Sequence, residues 1–237
     1  SPGCNLRCAW CQNWEISQAD GRLDFELLPY TTPESVVRAA ISAGCESIAY
    51  TYTEPTVFYE YAKATGKLAK DAGLKNIFVT NGFLSQESLA DAATWLDAAN
   101  IDLKAFSEEA YRKFSGARLE PVKTACKALK AHGVWVEITT LLVPGVNDDQ
   151  AQLEGMAAFI AQELGVDTPW HLSRYFPQYK FSAPATPIKT MEDAIRIGEA
   201  AGLRYIYTGN VHQSATTHCP TCGKALISRS GYTLQRD

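Results

Sequence analysis

Three of the seven cysteines lie close together near the beginning of the sequence, in the stretch GCNLRCAWCQNW. A disulfide uses cysteines in pairs, and a structural zinc ion usually takes four protein ligands. A four-iron cluster normally takes four cysteine thiolates, so Cys4, Cys8 and Cys11 would leave one iron with an open position. The C-x3-C-x2-C spacing therefore predicts an iron-sulfur centre at which chemistry takes place. The alternative is a zinc site that borrows a histidine from elsewhere in the chain.

A second group of cysteines lies near the C-terminus, where Cys219 and Cys222 form a C-x2-C pair in HCPTCGK. Such a pair supplies two zinc ligands and needs two more. His212, another chain or a segment preceding Ser1 could supply them, because the first strand and an N-terminal region are expected upstream of Ser1. The alternative is a free pair of thiols without zinc.

Polar residues fall within or just after each of six predicted strands. The groups are Glu54, Asn81, Asp102 with Lys104, Glu137 with Thr139, His171 with Arg174, and Asn210. Asp102 and Lys104 are two residues apart, which places them on one face of a strand. A buried lysine needs an anionic partner, so Lys104 is predicted to bind Asp102 or a cofactor carboxylate. Glu54 follows its strand directly and could also stabilise the N-terminus of the next helix.

Helical and strand patterns alternate from residue 33 onward. The predicted strands are SIAYTYT, NIFVTNG, NIDLKAF, VWVEITTLLVPG, PWHLSRYF and RYIYTGN, and helical segments such as TTPESVVRAAISAG and SQESLADAATWLDA connect them. Such alternation predicts an α/β fold with a parallel sheet. One polar group per strand favours a partial (β/α)6-type TIM barrel over a doubly wound sheet. The barrel is predicted to cover residues 1–210, and residues 211–237 a small C-terminal appendage with the Cys-x2-Cys knuckle.

Composition limits the remaining function classes. The 237 residues carry a formal net charge of -4 without a basic run, so nucleic-acid binding is not expected. No apolar stretch approaches the roughly 18 residues of a membrane span, so no membrane association is expected either. Clustered cysteines favour metal chemistry in a reducing compartment, and the predicted location is the cytoplasm. Cys45 and Cys126 stand apart and are predicted to be inert and buried.

The cysteine spacing resembles that of the radical S-adenosylmethionine (SAM) superfamily. The resemblance implies that Cys4, Cys8 and Cys11 hold a [4Fe-4S] cluster whose open iron binds SAM. One electron from the cluster then cleaves SAM to a 5′-deoxyadenosyl radical, which abstracts hydrogen from a substrate. Trp10 stands where the superfamily usually has an aromatic residue near the adenine.

Further stretches resemble other elements of the SAM site. TYTEPT aligns with the Gly-Gly-Glu-Pro element that holds the SAM amino group, although only Glu54 and Pro55 match and Tyr52 and Thr53 replace the glycines. Pyruvate formate-lyase activating enzymes carry the same Asp-x-Lys as Asp102 and Lys104, with the lysine toward the SAM carboxylate. VTNGF, which contains Asn81, also resembles them. His171 is similarly expected near the cofactor. Together these residues with Thr53 form the predicted SAM site.

Segments along nearly the whole chain, such as SIAYTYTEPTVFYEY and DTPWHLSRYFPQYK, resemble the AmmeMemoRadiSam system radical enzymes. That resemblance implies Memo-type and AMMECR-type proteins as partners and a reductant such as flavodoxin or ferredoxin. A glycyl-radical enzyme activase, of the pyruvate formate-lyase activating type, is the competing enzyme. A zinc-binding interaction module without catalytic activity is the alternative from another class.

Overall fold

The computed structural model describes residues 2–18, 30–211, 214–231 and 233–236, in which strands and helices alternate as predicted. The six strands of the main sheet are β1 (Ser47–Tyr50), β2 (Lys75–Thr80), β3 (Ala98–Asp102), β4 (Trp135–Leu142), β5 (Trp170–Arg174) and β6 (Ile206–Gly209). The α-helices are α1 (Trp14–Ser17), α2 (Pro33–Ser42), α3 (Tyr59–Asp71), α4 (Gln86–Ala92), α5 (Glu108–Ala110), α6 (Leu119–Ala131), α7 (Gln150–Phe159) and α8 (Ile188–Ala200). None of the helices in these ranges is long and apolar enough to cross a membrane.

The spatial order of the six strands follows the chain, and neighbouring strands pair in parallel. A doubly wound sheet reverses its order at a switch point, and this sheet, as far as the described residues form it, has no such reversal. The α/β fold with a six-stranded parallel sheet is therefore confirmed. Its order is the one expected of a partial (β/α) barrel, in which the strand ends gather at one mouth.

The two faces of the sheet differ in burial. In β4, Val136, Ile138 and Leu142 are at most 2% exposed and belong to the core that packs against the helices. Glu137 and Thr139 alternate with them and remain half-buried. The period of two places these polar side chains on the opposite face of the sheet. That face is therefore partly open and available to form a site.

Local signals set the helix boundaries. Thr32 accepts a hydrogen bond from the Ser35 backbone N–H at 3.3 Å and caps α2, and Pro33 is its first residue. The helix predicted from SQESLADAATWLDA is shorter than expected. In the structure, α4 ends at Ala92. The Thr94 hydroxyl bonds the Asp91 carbonyl at 2.7 Å there, and Trp95 turns into the core with 2% exposure.

The C-terminal residues form a second, antiparallel sheet of β7 (Ala215–His218), β8 (Ala225–Ser230) and β9 (Thr233–Arg236). The sequence predicted only a cysteine knuckle there, because these strands are short and largely exposed and carry a weak apolar pattern. The Tyr207 hydroxyl lies 2.9 Å from Thr217 Oγ1 and joins this sheet to β6. The division of the chain at residue 210 stays a prediction.

The two isolated cysteines differ in burial. Cys126 is fully buried, as predicted. Cys45 is exposed, and the prediction of burial is wrong for it. The reason is local: α2 has ended, and Cys45 lies in the turn in which its N–H bonds the Ala40 carbonyl at 3.0 Å.

Candidate active site

The loop that carries the three cysteines is held by contacts to distant segments. The Arg7 backbone N–H donates to the Ser115 carbonyl at 2.9 Å. Trp10 is 4% exposed and packs against Phe114 and Phe181, with ring centroids 5.9 and 5.8 Å away. Burying an aromatic side chain of this size contributes about 2 to 3 kcal/mol. Trp10 thus anchors the loop, and it also lines the cavity described next.

One cavity of about 330 Å³ lies beside the cysteine loop, and the carboxyl ends of the strands form its walls. Nine of the ten residues predicted for the cluster and SAM line it: Cys4, Cys8, Trp10, Cys11, Thr53, Glu54, Asn81, Asp102 and Lys104. His171 is the tenth. The volume falls within the range of roughly 300 to 1,000 Å³ that is usual for small-molecule sites. The fold therefore gathers residues that are far apart in sequence around a space of ligand size.

Two of the thiols around the cavity lie in surroundings that oppose their ionisation. Burial raises the pKa of Cys4 to about 11, and burial also raises the pKa of Cys8. Cys11 Sγ lies 3.1 Å from the Ser17 hydroxyl. A metal centre binds thiolates, so loading the site must release protons.

Glu54 is 1% exposed, and its carboxylate joins the ends of β1 and β2. Oε1 accepts hydrogen bonds from the Thr56 N–H at 3.2 Å and from the hydroxyls of Thr56 and Thr80. Oε2 accepts from the Asn81 N–H at 2.8 Å. Burial raises the pKa of the Glu54 carboxyl group, and these hydrogen bonds oppose the increase. Glu54 also caps the short 3-10 turn Pro55–Phe58, which confirms the helix-capping alternative without excluding a ligand.

Asn81 connects Glu54 with the cysteine loop. Its side-chain Nδ2 donates to Asn5 Oδ1 at 2.7 Å and lies 3.7 Å from Cys4 Sγ. Its Oδ1 accepts from the Phe83 N–H at 2.9 Å. The amide group therefore fixes the loop against the end of β2.

Lys104 and Asp102 form the predicted ion pair, with Nζ 2.9 Å from Oδ2. Burial lowers the pKa of the Lys104 ammonium group, but Asp102 and Cys8 outweigh burial, and the net pKa is raised. The Lys104 backbone is held by Tyr111 and Asn147, at 3.0 and 2.8 Å. An ammonium group has three donors, so Lys104 can bind a second anion while it keeps Asp102.

His171 lies outside the set of residues that line the cavity. Its Nε2 lies 2.7 Å from Glu137 Oε2, and its ring stacks on Tyr207 with centroids 5.5 Å apart. Ser173, two residues further along the same face of β5, lines the cavity instead. The cofactor role of His171 stays a prediction that this placement does not support.

The C-terminal pair lies in the turn between β7 and β8. The backbone N–H groups of Cys222 and Thr221 lower the pKa of the Cys219 thiol. Within the described ranges, no third histidine, cysteine or carboxylate completes a metal site with this pair, and His212 lies outside those ranges. Zinc binding at Cys219 and Cys222 therefore has no structural support.

Sequence reasoning missed three serines beside the site. Ser173 could have been found from the alternation along β5, and Ser17 from its closeness to Cys11 in sequence. Ser115 gives no sequence signal, because only the fold brings it to Cys8. Its hydroxyl is buried and has no hydrogen-bond partner among the described residues. The backbone bonds Arg7 N–H to Ser115 O and Ala9 N–H to Phe114 O, both 2.9 Å, hold it beside Cys8.

These residues fit a four-iron cluster. The thiols of Cys4, Cys8 and Cys11 line one cavity of ligand size. A four-iron cluster takes its cysteine thiolates around its periphery, one for each iron. The unpartnered Ser115 hydroxyl beside Cys8 is also suited to a negatively charged, sulfur-rich group.

Comparisons with known proteins agree with this fit. The Radical SAM superfamily matches residues 1–155. The chain is 45% identical over 232 residues to an uncharacterized protein from Methanocaldococcus jannaschii, covering 96% of this chain and 68% of that protein. It is 27% identical over 181 residues to 7-carboxy-7-deazaguanine synthase from Thermococcus kodakarensis, covering 68% of this chain and 70% of the relative.

Two solved structures show the same fold. SuiB from Streptococcus suis bound to S-adenosylmethionine has a TM-score of 0.70 at 15% identity, and the match covers 90% of this chain and 49% of SuiB. A domain of pyruvate-formate lyase-activating enzyme from Bacteroides vulgatus has a TM-score of 0.61 at 19% identity, over 69% of this chain and 99% of that domain. At such identities the likeness concerns the fold alone.

The family match and the geometry concern the same part of the molecule. Residues 1–155 include the cysteine loop and the strand ends that carry Glu54, Asn81 and Lys104. The superfamily implies a [4Fe-4S] cluster and SAM, and the residues around the cavity fit the cluster. The chain therefore belongs to the radical SAM superfamily of enzymes.

Proposed function

We propose that the chain is an enzyme that holds a [4Fe-4S] cluster on Cys4, Cys8 and Cys11 and binds SAM in the adjoining cavity. One observation carries the proposal: the three thiols, the buried Glu54 and the Asp102–Lys104 pair all line the same space. Reductive cleavage of SAM to a 5′-deoxyadenosyl radical, which abstracts hydrogen from a substrate, is the chemistry that the bound cluster supplies.

The chain's own side chains position SAM. Lys104 keeps its ammonium group charged and binds the SAM carboxylate, because Asp102 occupies only part of its donor capacity. Glu54 Oε2, with one hydrogen bond from Asn81 among the described residues, accepts another from the SAM amino group. Thr53 lies on the same wall of the cavity. The buried ring of Trp10 excludes water from one side of the cysteine loop.

The proposed biological setting is an AmmeMemoRadiSam-type system in the cytoplasm. It rests on the sequence segments that resemble those enzymes, and it implies Memo-type and AMMECR-type partners. Flavodoxin or ferredoxin is the proposed reductant. A glycyl-radical enzyme activase remains the alternative enzyme. Genes that neighbour the coding sequence distinguish the two, because an adjacent glycyl-radical enzyme favours the activase.

Metal analysis tests the proposal against a zinc-binding interaction module. Anaerobically reconstituted protein should contain iron and labile sulfide in about equal amounts, about four of each per chain. Cys8→Ala should lose the cluster. The matched control is Cys126→Ala, which removes another buried thiol and should keep it. Zinc without iron in the wild-type protein, or full iron in Cys8→Ala, would contradict the assignment.

A further inference from the structure

Each cysteine of the loop has at least one polar side chain beside its sulfur. Among them are Asn81, 3.7 Å from Cys4, Ser17, 3.1 Å from Cys11, and Ser115, which the backbone bonds of Arg7 and Ala9 hold next to Cys8. They come from three separate places in the chain: the residue after β2, helix α1 and the π-helical turn Tyr111–Ser115 that follows α5. Each of the three sulfurs thus has at least one hydrogen-bonding side chain beside it.

Ser115 differs from the other two because its hydroxyl is unsatisfied. The residue is 1% exposed, and its Oγ has no hydrogen-bond partner among the described residues. Its backbone carbonyl accepts the Arg7 N–H at 2.9 Å, which fixes Ser115 against the cysteine loop. A buried hydroxyl without a partner destabilises a fold, so this group contributes nothing favourable to the protein without a cluster.

We propose that the Ser115 hydroxyl donates a hydrogen bond to the sulfur of Cys8 when the cluster is bound, and that this bond raises the cluster's reduction potential. The inference rests on the proposed function. Reduction adds negative charge to the cluster, so a donor aimed at a ligating sulfur stabilises the reduced state more than the oxidised state. Ser115 is thus a positioning and tuning residue that acts through Cys8.

Replacing Ser115 with alanine separates this role from a structural one. The variant without a cluster should unfold at the same temperature as the wild type or higher, because an unsatisfied hydroxyl is removed. The reconstituted variant should keep its iron, but its reduction potential should become more negative. The expected change is about tenfold in the ratio of oxidised to reduced cluster at a fixed potential, or about 59 mV for a one-electron couple.

A matched control is Thr65→Val in α3. Thr65 is fully buried, and its hydroxyl donates to the Tyr61 carbonyl at 2.9 Å. Thr65→Val should therefore show the opposite pattern, with a lower unfolding temperature and an unchanged potential. Both variants and the wild type are compared in an anaerobic redox titration monitored by electron paramagnetic resonance.

The outcomes distinguish this inference from the proposed function. A more negative potential in Ser115→Ala, together with full iron content and undiminished stability of the cluster-free protein, supports the inference. An intact cluster with an unchanged potential overturns the inference alone. Wild-type protein that assembles no cluster overturns the proposed function, and the role of Ser115 with it.

Discussion

Replacing Lys104 with methionine keeps the unbranched stem of the side chain but removes the ammonium group that faces Asp102 and the cavity. The Lys104 side chain is only 18% exposed, so water screens its interactions weakly. A hydrogen bond from such a charged donor to a SAM carboxylate contributes roughly 1.5 to 3 kcal/mol. Its loss should weaken SAM binding by about 10- to 150-fold.

The same substitution should have little effect on folding. Asp102 loses its partner, but its side chain is 36% exposed and water can solvate the carboxylate. The carboxylate that is left therefore does not carry the cost of a fully buried, unpaired charge. Lys104→Met should therefore remain folded and retain the cluster, which makes its SAM affinity measurable.

The assay is anaerobic titration calorimetry of SAM into reconstituted protein. Lys63→Met is a matched control, because Lys63 forms a similar ion pair with Asp91, at 2.6 Å and comparable exposure, outside the residues that line the cavity. Its SAM affinity should equal that of the wild type. If Lys104→Met also binds SAM within twofold of the wild type, the lysine serves the fold and the proposed SAM contact is refuted.

Three further predictions concern other parts of the molecule. Because the Cys4 pKa is raised to about 11 and only the thiolate reacts, the rate at which iodoacetamide modifies Cys4 should rise about tenfold per pH unit between pH 8 and 10. A modification rate, measured by mass spectrometry, that levels off below pH 9 would contradict this. Tyr52 is 71% exposed and has a φ of 73°, a left-handed backbone conformation that costs about 1 to 2 kcal/mol, so Tyr52→Gly should raise the unfolding temperature by about 1 to 4 °C. A lower unfolding temperature would show that the Tyr52 ring makes stabilising contacts. Changing Cys219 and Cys222 to serine should leave the iron content and the initial rate of 5′-deoxyadenosine formation within about threefold of wild type; loss of iron would place the pair in the active centre.

The sequence predicts best what depends on neighbouring residues. The spacing of Cys4, Cys8 and Cys11 lies within one loop, and the pairing of Asp102 with Lys104 follows from the period of a single strand. The strand and helix order also follows from local periodicity, which allowed the parallel sheet to be predicted. These features require no knowledge of distant contacts.

Features that depend on tertiary packing or on the position of a residue along its strand could not be predicted from the sequence in this way. The strand pattern gives the face of the sheet on which His171 lies but not which residue of β5 reaches the cavity. Ser173, two residues further along β5, lines the cavity. Ser115 reaches Cys8 only because the loop is bonded to a segment far along the chain. Cys45 is exposed because the turn after α2 leaves it at the surface, which its apolar character does not indicate.

The central claim is that this chain cleaves SAM reductively at a cluster held by the three cysteines. The most direct measurement is the amount of 5′-deoxyadenosine formed from SAM by anaerobically reconstituted, dithionite-reduced protein, determined by chromatography. The account predicts formation by the wild type and by Cys126→Ala, and none above background by Cys8→Ala. Formation of 5′-deoxyadenosine by Cys8→Ala at the wild-type rate, or its absence from wild-type protein that carries a full complement of iron and sulfide, would contradict the account.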